Sequence, residues 1–263
     1  MQHSALLNVM IAAARKASRT LKRDFGEVEN LQVSLKGPGN FVTAADRKAE
    51  ETLKAELAKA RPGYSFLGEE SGSTAGTDTT HTWIVDPLDG TTNFLHGIPQ
   101  FAISIGLERA GTIVAGVIYN PITDELFVAE RGKGAFLNDR RLRVAARKQL
   151  ADSVIACGLP HLGRGDLDLG LRELSAVQDK VAGLRRFGAA ALDMAFVAAG
   201  RLDGYWERNI SPWDIAAGII ILREAGGFVT DIDGADAMFT KKHVVAGNET
   251  IQRELLRLLK AAA

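Results

Sequence analysis

The sequence has a single cysteine, no net charge and no long apolar run. Cys157 is the only cysteine in 263 residues, which excludes an internal disulfide and favours a reducing compartment. Lysine plus arginine and aspartate plus glutamate number 32 each, and this balance argues against a strongly electrostatic nucleic-acid-binding protein. No apolar run approaches the length of a membrane span. We therefore expect a cytoplasmic protein with neither nucleic acid nor membrane as a partner.

The first residues are better explained as a helix than as a signal peptide. Residues 5–14 are mostly apolar but are followed by Arg15 and Lys16, whereas a signal peptide carries its positive charge first. The composition, with 46% hydrophobic residues and 27 glycines, is that of a globular α/β protein. Up to about residue 150 the chain is rich in strand-like segments, and over 151–263 helical and strand-like segments alternate.

Apolar periodicity and turn residues predict the individual elements. Helices are expected over 4–24, 44–59 with Thr43 as the N-cap, 167–180, 190–200, 212–227 and 249–263. Strands are expected over 83–85, 101–108, 112–121, 125–130, 153–159, 183–188, 202–207 and 243–248, with a hairpin over 131–144. Small and turn-forming residues predict loops over 33–40 and 73–81.

Two aspartates directly follow an apolar segment. Trp83, Ile84 and Val85 predict a buried strand, and Asp86 and Asp89 then surround a proline ahead of a glycine. A simple turn would explain the glycine but would leave Asp86 at the edge of the core, where an ionised carboxylate needs a partner. Two carboxylates about 4 Å apart repel by about 4 kcal/mol at an effective dielectric constant of about 20. Because no lysine or arginine is near them in the sequence, a divalent cation is the simplest partner.

Three further acidic residues stand at informative places, and each also has an ordinary explanation. Glu69 follows a short strand-like segment and is explained equally well as part of a solvated turn. Asp214 suits the positive end of a helix, and Asp46 could close a capping box with Thr43. Oxygen ligands select Mg²⁺, whereas softer metals prefer histidine and cysteine, and the five histidines show no paired spacing. If a metal binds, we expect a site of oxygen ligands alone.

Three segments resemble the inositol monophosphatase family, a group of magnesium-dependent, lithium-sensitive sugar phosphatases. They are GEES at 68–71, WIVDPLDGTTNF at 83–94 and PWDIAAGIIILREAGG at 212–227. Segments at 40–46 and 185–207 fit as well, so the resemblance covers nearly the whole chain. It implies one α/β domain over 1–263, with the layered α-β-α-β-α sandwich of the inositol monophosphatase and fructose-bisphosphatase type. It also implies a homodimer.

The resemblance implies a site for two or three Mg²⁺ ions. Glu69, Asp86 and the backbone carbonyl of Leu88 would hold one ion. Asp86, Asp89 and Asp214 would hold a second, with Asp86 shared between the two. A rigid strand end would explain the position of Asp86, because such an element holds a metal pair more firmly than a loop does.

The same resemblance assigns the remaining roles. Glu69 and Thr91 would orient the attacking water, with Asp46 behind Thr91. Gly90 would let the backbone approach the phosphate, whose oxygens the N–H groups of Gly90 and Thr91 would bind. The residues implied to contact substrate are Leu88, Asp89, Gly90, Thr91, Arg185, Arg186, Glu207 and Asp214, of which Glu207 would accept from a substrate hydroxyl group.

The function implied is Mg²⁺-dependent hydrolysis of a phosphomonoester by direct attack of water, with myo-inositol monophosphate favoured as substrate. Fructose 1,6-bisphosphate, histidinol phosphate and a nucleotide such as NADP or an adenosine bisphosphate are the alternatives within the superfamily. A haloacid-dehalogenase phosphatase is disfavoured because Asp86 and Asp89 are spaced D-x-x-D. A binding or regulatory protein that keeps the fold is the alternative from another class, and the complete acidic set argues for an enzyme.

Overall fold

A computed structural model describes residues 3–27, 33–37, 40–160 and 165–263, and the side chains of 33–37 and 40–43 lie outside that description. The helices are α1 (Ala5–Phe25), α2 (Ala44–Ala60), α3 (Thr91–Leu95), α4 (Leu167–Gln178), α5 (Ala190–Ala198), α6 (Pro212–Glu224), α7 (Met238–Lys241) and α8 (Glu249–Ala262). Within these described ranges, no helix combines the length and the apolar character needed to cross a bilayer.

The strands form two mixed sheets and a separate hairpin. They are β1 (Val33–Gly37), β2 (Asn40–Thr43), β3 (Tyr64–Gly68), β4 (Gly72–Thr74), β5 (Asp78–Asp89), β6 (Ala102–Arg109), β7 (Thr112–Asn120), β8 (Glu125–Glu130), β9 (Gly134–Leu137), β10 (Arg140–Arg141), β11 (Val154–Cys157), β12 (Gly183–Arg185), β13 (Gly204–Arg208), β14 (Phe228–Thr230) and β15 (His243–Gly247). The large eight-stranded sheet has the order β10-β9-β8-β7-β6-β5-β3-β4, and the small five-stranded sheet has the order β12-β11-β13-β15-β14.

Three hydrophobic cores stack the elements into layers. The first lies between the α1–α2 pair and the large sheet and includes Met10 and Trp83. The second holds α5 and α6 between the two sheets and includes Met194. The third packs α4 and α8 on the far side of the small sheet, through Val177 and Leu255. This order confirms the predicted α-β-α-β-α sandwich.

Most of the predicted elements are confirmed to within a few residues. The first helix begins after Ser4, whose hydroxyl oxygen accepts from the N–H of Leu7 at 3.1 Å. The second begins after Thr43, although the side chain of Thr43, the predicted N-cap, lies outside the described residues. The strand after Glu224 and the short helix α7 were not predicted.

The two predicted loops are wrong where strands replace them. Residues 33–37 and 40–43 pair as the hairpin β1–β2. Over 73–81, β4 ends at Thr74 and β5 already begins at Asp78. The polar start of β5 joins the sheet because β6 lies beside it, with His81 opposite Arg109 and Thr82 opposite Glu108. Pairing with a neighbouring strand thus overrides a weak local preference.

Two glycines of the large sheet let α6 approach closely. A Cβ atom on Gly106 would lie 2.7 Å from the Cβ atom of Ala216, and one on Gly116 would lie 2.8 Å from the carbonyl oxygen of Ala217. Larger residues at these two positions would push the helix away from the sheet. The close packing therefore fixes the first turn of α6, which carries Asp214, relative to β5.

Candidate active site

A cavity of about 250 Å³ opens at the C-terminal end of β5, bordered by α5, α6 and β13. Nine of the residues implied above by the resemblance line it, from widely separated parts of the chain: Glu69, Asp86, Leu88, Asp89, Gly90, Thr91, Arg186, Glu207 and Asp214. Asp46 lies behind this lining, in contact with Thr91. Arg185 does not reach the cavity lining.

A bulge in β5 brings Asp86 and Asp89 to the same face of the sheet. Asp86 lies opposite Ser104 of β6, and Asp89 lies opposite Ala102, with a register shift between the two pairs. Three steps along β5 therefore match two steps along β6. In a regular strand, residues three apart point to opposite faces, whereas one extra residue restores a common face. The bulge thus converts a D-x-x-D spacing into two carboxylates that share the cavity.

Three carboxylates converge on one point of the cavity floor. Asp86, Asp89 and Asp214 each offer an oxygen, and these oxygens all lie within 4.8 Å of one another. Each side chain is held at 2.8 Å by a backbone N–H group, that of Leu88 for Asp86, Ala191 for Asp89 and Ser211 for Asp214. Such a set of oxygen donors could hold a divalent cation.

Burial and mutual repulsion make this group of carboxylates costly to ionise. Burial raises the pKa of Asp86 well above its usual range, and the nearby charges of Glu69, Asp89 and Asp214 raise it further. Burial likewise raises the pKa of Asp89. Burial raises the pKa of Asp214 to about 7, although the N–H group of Ser211 lowers it. A bound cation would reverse this penalty, because it favours the ionised form of each carboxyl group.

The position of Asp214 depends on a contact between α6 and the large sheet. The hydroxyl of Ser104 donates to the carbonyl oxygen of Trp213 at 3.2 Å. Ser104 is also the residue opposite Asp86 on β6. The same strand position therefore fixes both aspartates. Asp214 does accept from the N–H of Ser211 at the start of its helix, so its capping role and its place in the cavity coexist.

A sharp turn after β5 presents Thr91 to the cavity. Gly90 has a φ angle of +94°, and a Cβ atom there would lie 2.8 Å from the carbonyl oxygen of Gln100, so the turn requires glycine. Thr91 begins α3, and its hydroxyl oxygen lies 3.2 Å from Oδ1 of Asp46 and 3.1 Å from the carbonyl oxygen of Leu88. Asp46 therefore contacts Thr91, which a capping-box role alone would not explain.

The two acidic residues after β3 separate in the structure. Glu69 lines the cavity, and its N–H donates to the carbonyl oxygen of Val85 at 3.2 Å, which fixes it beside β5. The N–H of Glu70 instead donates to the buried carboxylate of Glu50 at 2.8 Å. A solvated turn therefore does not account for Glu69.

The two neighbouring arginines have different surroundings. Arg186 lines the cavity. Arg185 is exposed at the end of β12, and its Nη1 donates to the carbonyl oxygen of Leu184 at 2.8 Å. The structure thus brings one member of the pair to the candidate site.

Glu207 stands in the cavity wall at the end of β13. The hydroxyl of Tyr205 donates to its Oε2. Gly158 leaves room for it, since a Cβ atom on Gly158 would lie 1.9 Å from Cδ of Glu207. The carboxylate is therefore held against backbone rather than extended into solvent.

Two charged residues of the cavity lining were missed from the sequence. Asp193 is buried and is the one charged residue of the apolar helix α5, which was a usable signal. Arg208 also lines the cavity and pairs with buried Glu173, with Nε 2.7 Å and Nη2 2.6 Å from Oε1. An arginine at a strand end is ordinarily a surface residue, so Arg208 had no comparable signal.

Comparison with known proteins agrees with this geometry. The sequence matches the inositol monophosphatase family over residues 2–263. An inositol-1-monophosphatase from Mesorhizobium japonicum is 66% identical over 260 residues, or 99% of this chain and 98% of that protein. The Nus factor SuhB of Pseudomonas aeruginosa is 41% identical, over 97% of this chain and 96% of its own. The crystal structure of the extragenic suppressor protein suhB from Bartonella henselae has a TM-score of 0.95 and 62% identity, covering 98% of this chain and 99% of that one. The chain therefore belongs to the inositol monophosphatase family and, like the inositol-1-monophosphatases to which it is similar, is a phosphoric monoester hydrolase.

Proposed function

We propose that the protein is a Mg²⁺-dependent phosphatase that hydrolyses myo-inositol monophosphate to inositol and phosphate. The observation that carries the proposal is the group of three carboxylates, with oxygens within 4.8 Å of one another, in a cavity that Arg186 and Glu207 also line. The carboxylates suit a cation that attracts a phosphate. Glu207 suits the hydroxyl groups of a sugar or cyclitol.

The donor set fits magnesium. It consists of carboxylate and carbonyl oxygens, and Asp86 and Asp89 are buried, so their charges need compensation within the protein. We assign Glu69, Asp86 and the carbonyl of Leu88 to one ion, and Asp86, Asp89 and Asp214 to a second, with two or three ions in all. When bound, these ions supply Lewis-acid chemistry, which lowers the pKa of water and neutralises charge on a phosphoryl group.

Residues of the chain orient the attacking water. The hydroxyl of Thr91 has two acceptors for its proton, Oδ1 of Asp46 at 3.2 Å and the carbonyl oxygen of Leu88 at 3.1 Å, and donation to either leaves the oxygen of Thr91 able to accept a hydrogen bond from a water molecule in the cavity. Glu69 is the second acceptor for that water. Two fixed acceptors hold the water in line with the phosphorus–oxygen bond that breaks, so hydrolysis is direct and needs no phosphoenzyme.

The phosphate group lies against the turn after β5. The N–H groups of Gly90 and Thr91 donate to its oxygens, and Gly90 places no side chain in the way. Leu88, Asp89 and Asp214 line the same end of the cavity. Arg186 contributes positive charge from the wall, whereas Arg185 lies outside the cavity lining.

The size of the cavity and the position of Glu207 favour a small polyol phosphate. A volume of about 250 Å³ suits one ring and one phosphate better than a dinucleotide. Glu207, oriented by Tyr205, accepts from ring hydroxyl groups. Fructose 1,6-bisphosphate, histidinol phosphate and nucleotide phosphates are the alternative substrates for the same chemistry.

A second candidate function is a role as a Nus factor. The observation that favours it is the 41% identity with Nus factor SuhB of Pseudomonas aeruginosa over nearly the whole chain. The two functions separate in the variant Asp86→Asn, which should lose phosphatase activity. A regulatory role independent of catalysis would survive that change in a transcription assay, and a role that depends on catalysis would not.

We also propose that residues 1–263 form one domain, that the protein is cytoplasmic and that it is a homodimer. The buried single cysteine Cys157 suits a reducing compartment. Family membership supports the dimer. Light scattering of the purified protein would test the dimer, and a mass of one chain at working concentration would contradict it.

A phosphate-release screen tests the substrate directly. The panel contains myo-inositol 1-phosphate, fructose 1,6-bisphosphate, histidinol phosphate, NADP and adenosine 3′,5′-bisphosphate, each with Mg²⁺. We expect the highest kcat/KM for the inositol phosphate. A clear preference for one of the other compounds would replace inositol as the substrate while leaving the phosphatase chemistry in place.

A further inference from the structure

Asp193 is a buried carboxyl group for which the roles above provide no use. Its side chain is 2% exposed, yet the residue lines the cavity. Its Oδ1 atom is buried and makes no hydrogen bond to any described residue. Buried polar atoms nearly always have a partner, because an unpaired one retains the full cost of its desolvation. The cavity is the place from which a partner for Asp193 can come.

The charged side chains that act on Asp193 are those of the cavity wall, Glu207 and Arg186. Burial raises the pKa of Asp193 well above its usual range, the charge of Glu207 raises it further, and Arg186 lowers it. These three side chains come from α5, from β13 and from the segment after β12. Asp193 is absent from the three carboxylates whose oxygens converge. The wall therefore carries two acidic groups of its own, apart from the candidate metal ligands.

We propose that Asp193 is a further substrate-contacting residue, which together with Glu207 hydrogen-bonds two hydroxyl groups of the substrate ring and so selects polyol monophosphates. This inference rests on the proposed function and deepens it. A site built to pair with hydroxyl groups rejects analogues that lack them, since its own polar atoms are then left unpaired.

The competing explanation is that an internal water satisfies Asp193 and that the residue serves only the fold. The two explanations differ in what happens to different substrates. A residue that contacts ring hydroxyl groups matters for myo-inositol 1-phosphate and not for 4-nitrophenyl phosphate, which has no such groups. A residue that supports the fold or the metal ligands matters equally for both.

The test compares kcat/KM of Asp193→Ala and Asp193→Asn with wild type on those two substrates at saturating Mg²⁺. We expect Asp193→Ala to lose about 10- to 100-fold on the inositol phosphate, the loss typical of one hydrogen bond to a charged or buried partner, and about twofold or less on the aryl phosphate. Asp193→Asn should recover part of the loss because the amide can still pair with a hydroxyl. The Mg²⁺ concentration for half-maximal activity should not change in either variant.

Asp231 provides a matched control. It is 1% exposed, and its Oδ2 atom also lacks a hydrogen-bond partner among the described residues, but it does not line the cavity. Asp231→Asn should leave the ratio of the two activities unchanged. If it altered that ratio as much as the Asp193 variants do, the selectivity would reflect general loosening of the fold, and the inference would be wrong.

Two results with the Asp193 variants themselves would also overturn the inference. Equal losses on both substrates in Asp193→Ala, or no loss on either, would show that Asp193 does not contact the substrate. If thermal melting shows that Asp193→Ala is unfolded, the Asn variant decides, and the absence of a selective loss there counts against the inference. Failure of the proposed function has a different signature, because wild type itself would then hydrolyse neither substrate or prefer the aryl phosphate.

Discussion

Replacing Asp86 with asparagine should stabilise the metal-free protein and destroy its activity. Asp86 is buried, and its pKa is raised by burial and by the charges of Glu69, Asp89 and Asp214. Asparagine has nearly the same shape and keeps an oxygen that can accept from the N–H of Leu88. The substitution therefore removes a charge and little else. Without a cation that charge is a cost, and with a cation it is a ligand.

The size of the effect follows from the geometry. Two ionised carboxylates at the largest separation of these oxygens, 4.8 Å, repel by about 3.5 kcal/mol at an effective dielectric constant of about 20. Partial protonation of the group relieves part of that repulsion, so we expect Asp86→Asn to gain about 2–3 kcal/mol in chelator at about pH 8. For a chain of this length, that gain corresponds to a rise in Tm of about 4–12 °C.

Magnesium should reverse the order of stability. Wild type gains about 4.1 kcal/mol when Mg²⁺ is at a thousand times its Kd, which exceeds the advantage of the variant in chelator, whereas a variant that has lost the shared ligand gains little. Thermal melts of wild type and Asp86→Asn, each in EDTA and in Mg²⁺, give the four Tm values that this comparison needs. Phosphate release should fall about a thousandfold or more in Asp86→Asn, and by less in Asp214→Asn, which loosens one ion only.

Asp203→Asn is the control for the general effect of removing a buried aspartate. Asp203 accepts from Nε of Arg147 at 2.6 Å and from the N–H of Val154 at 2.9 Å, away from the cavity. Its loss should lower Tm with or without Mg²⁺. If Asp86→Asn behaved in the same way, with a lower Tm in chelator as well as in Mg²⁺, then the charge of Asp86 does not destabilise the metal-free protein, and this account of Asp86 would be refuted.

Three further predictions concern single features of the site. Glu207→Gln should lower kcat/KM for inositol monophosphate about 10- to 100-fold and change hydrolysis of an aryl phosphate little, and equal losses on both would instead give Glu207 a structural role. Thr91→Val should lower kcat about a hundredfold, with Thr91→Ser close to wild type, because only the hydroxyl orients water; similar rates for Val and Ser would contradict this. In EDTA the unfolding free energy should fall as pH rises from about 4 to about 7, because burial raises the folded-state pKa of Asp214 to about 7 and the unfolded chain loses its proton first. Thermal melts across that pH range would contradict this prediction if the unfolding free energy rose with pH. Added Mg²⁺ should make the unfolding free energy less dependent on pH.

The sequence predicted the members of the acidic group better than their arrangement. Asp86 and Asp89 were identifiable because charged residues directly follow an apolar strand. Their common orientation depends on a bulge, which is set by the register with β6 and cannot be read from one strand alone. The contact between Thr91 and Asp46, which are 45 positions apart, came from family resemblance and not from spacing.

Elsewhere, tertiary context decided what local patterns could not. Residues 78–82 became strand because both neighbouring strands pair with that polar stretch, β3 at Asp78 and β6 at His81 and Thr82. Asp193 had a local signal, a single charge in an apolar helix, but its significance depends on which face of α5 meets the cavity. The layered sandwich, by contrast, was predictable, since the same motifs that suggest the chemistry span almost the whole chain.

The most direct test of the central claim is phosphate release from myo-inositol 1-phosphate under three conditions: with EDTA, with Mg²⁺ restored, and with Li⁺ added to the Mg²⁺-loaded enzyme. We predict no measurable turnover in EDTA, full recovery with Mg²⁺ and inhibition by Li⁺, because the carboxylates of Asp86, Asp89 and Asp214 are arranged to hold cations. Full activity in EDTA would contradict a role for these carboxylates as ligands of a catalytic metal.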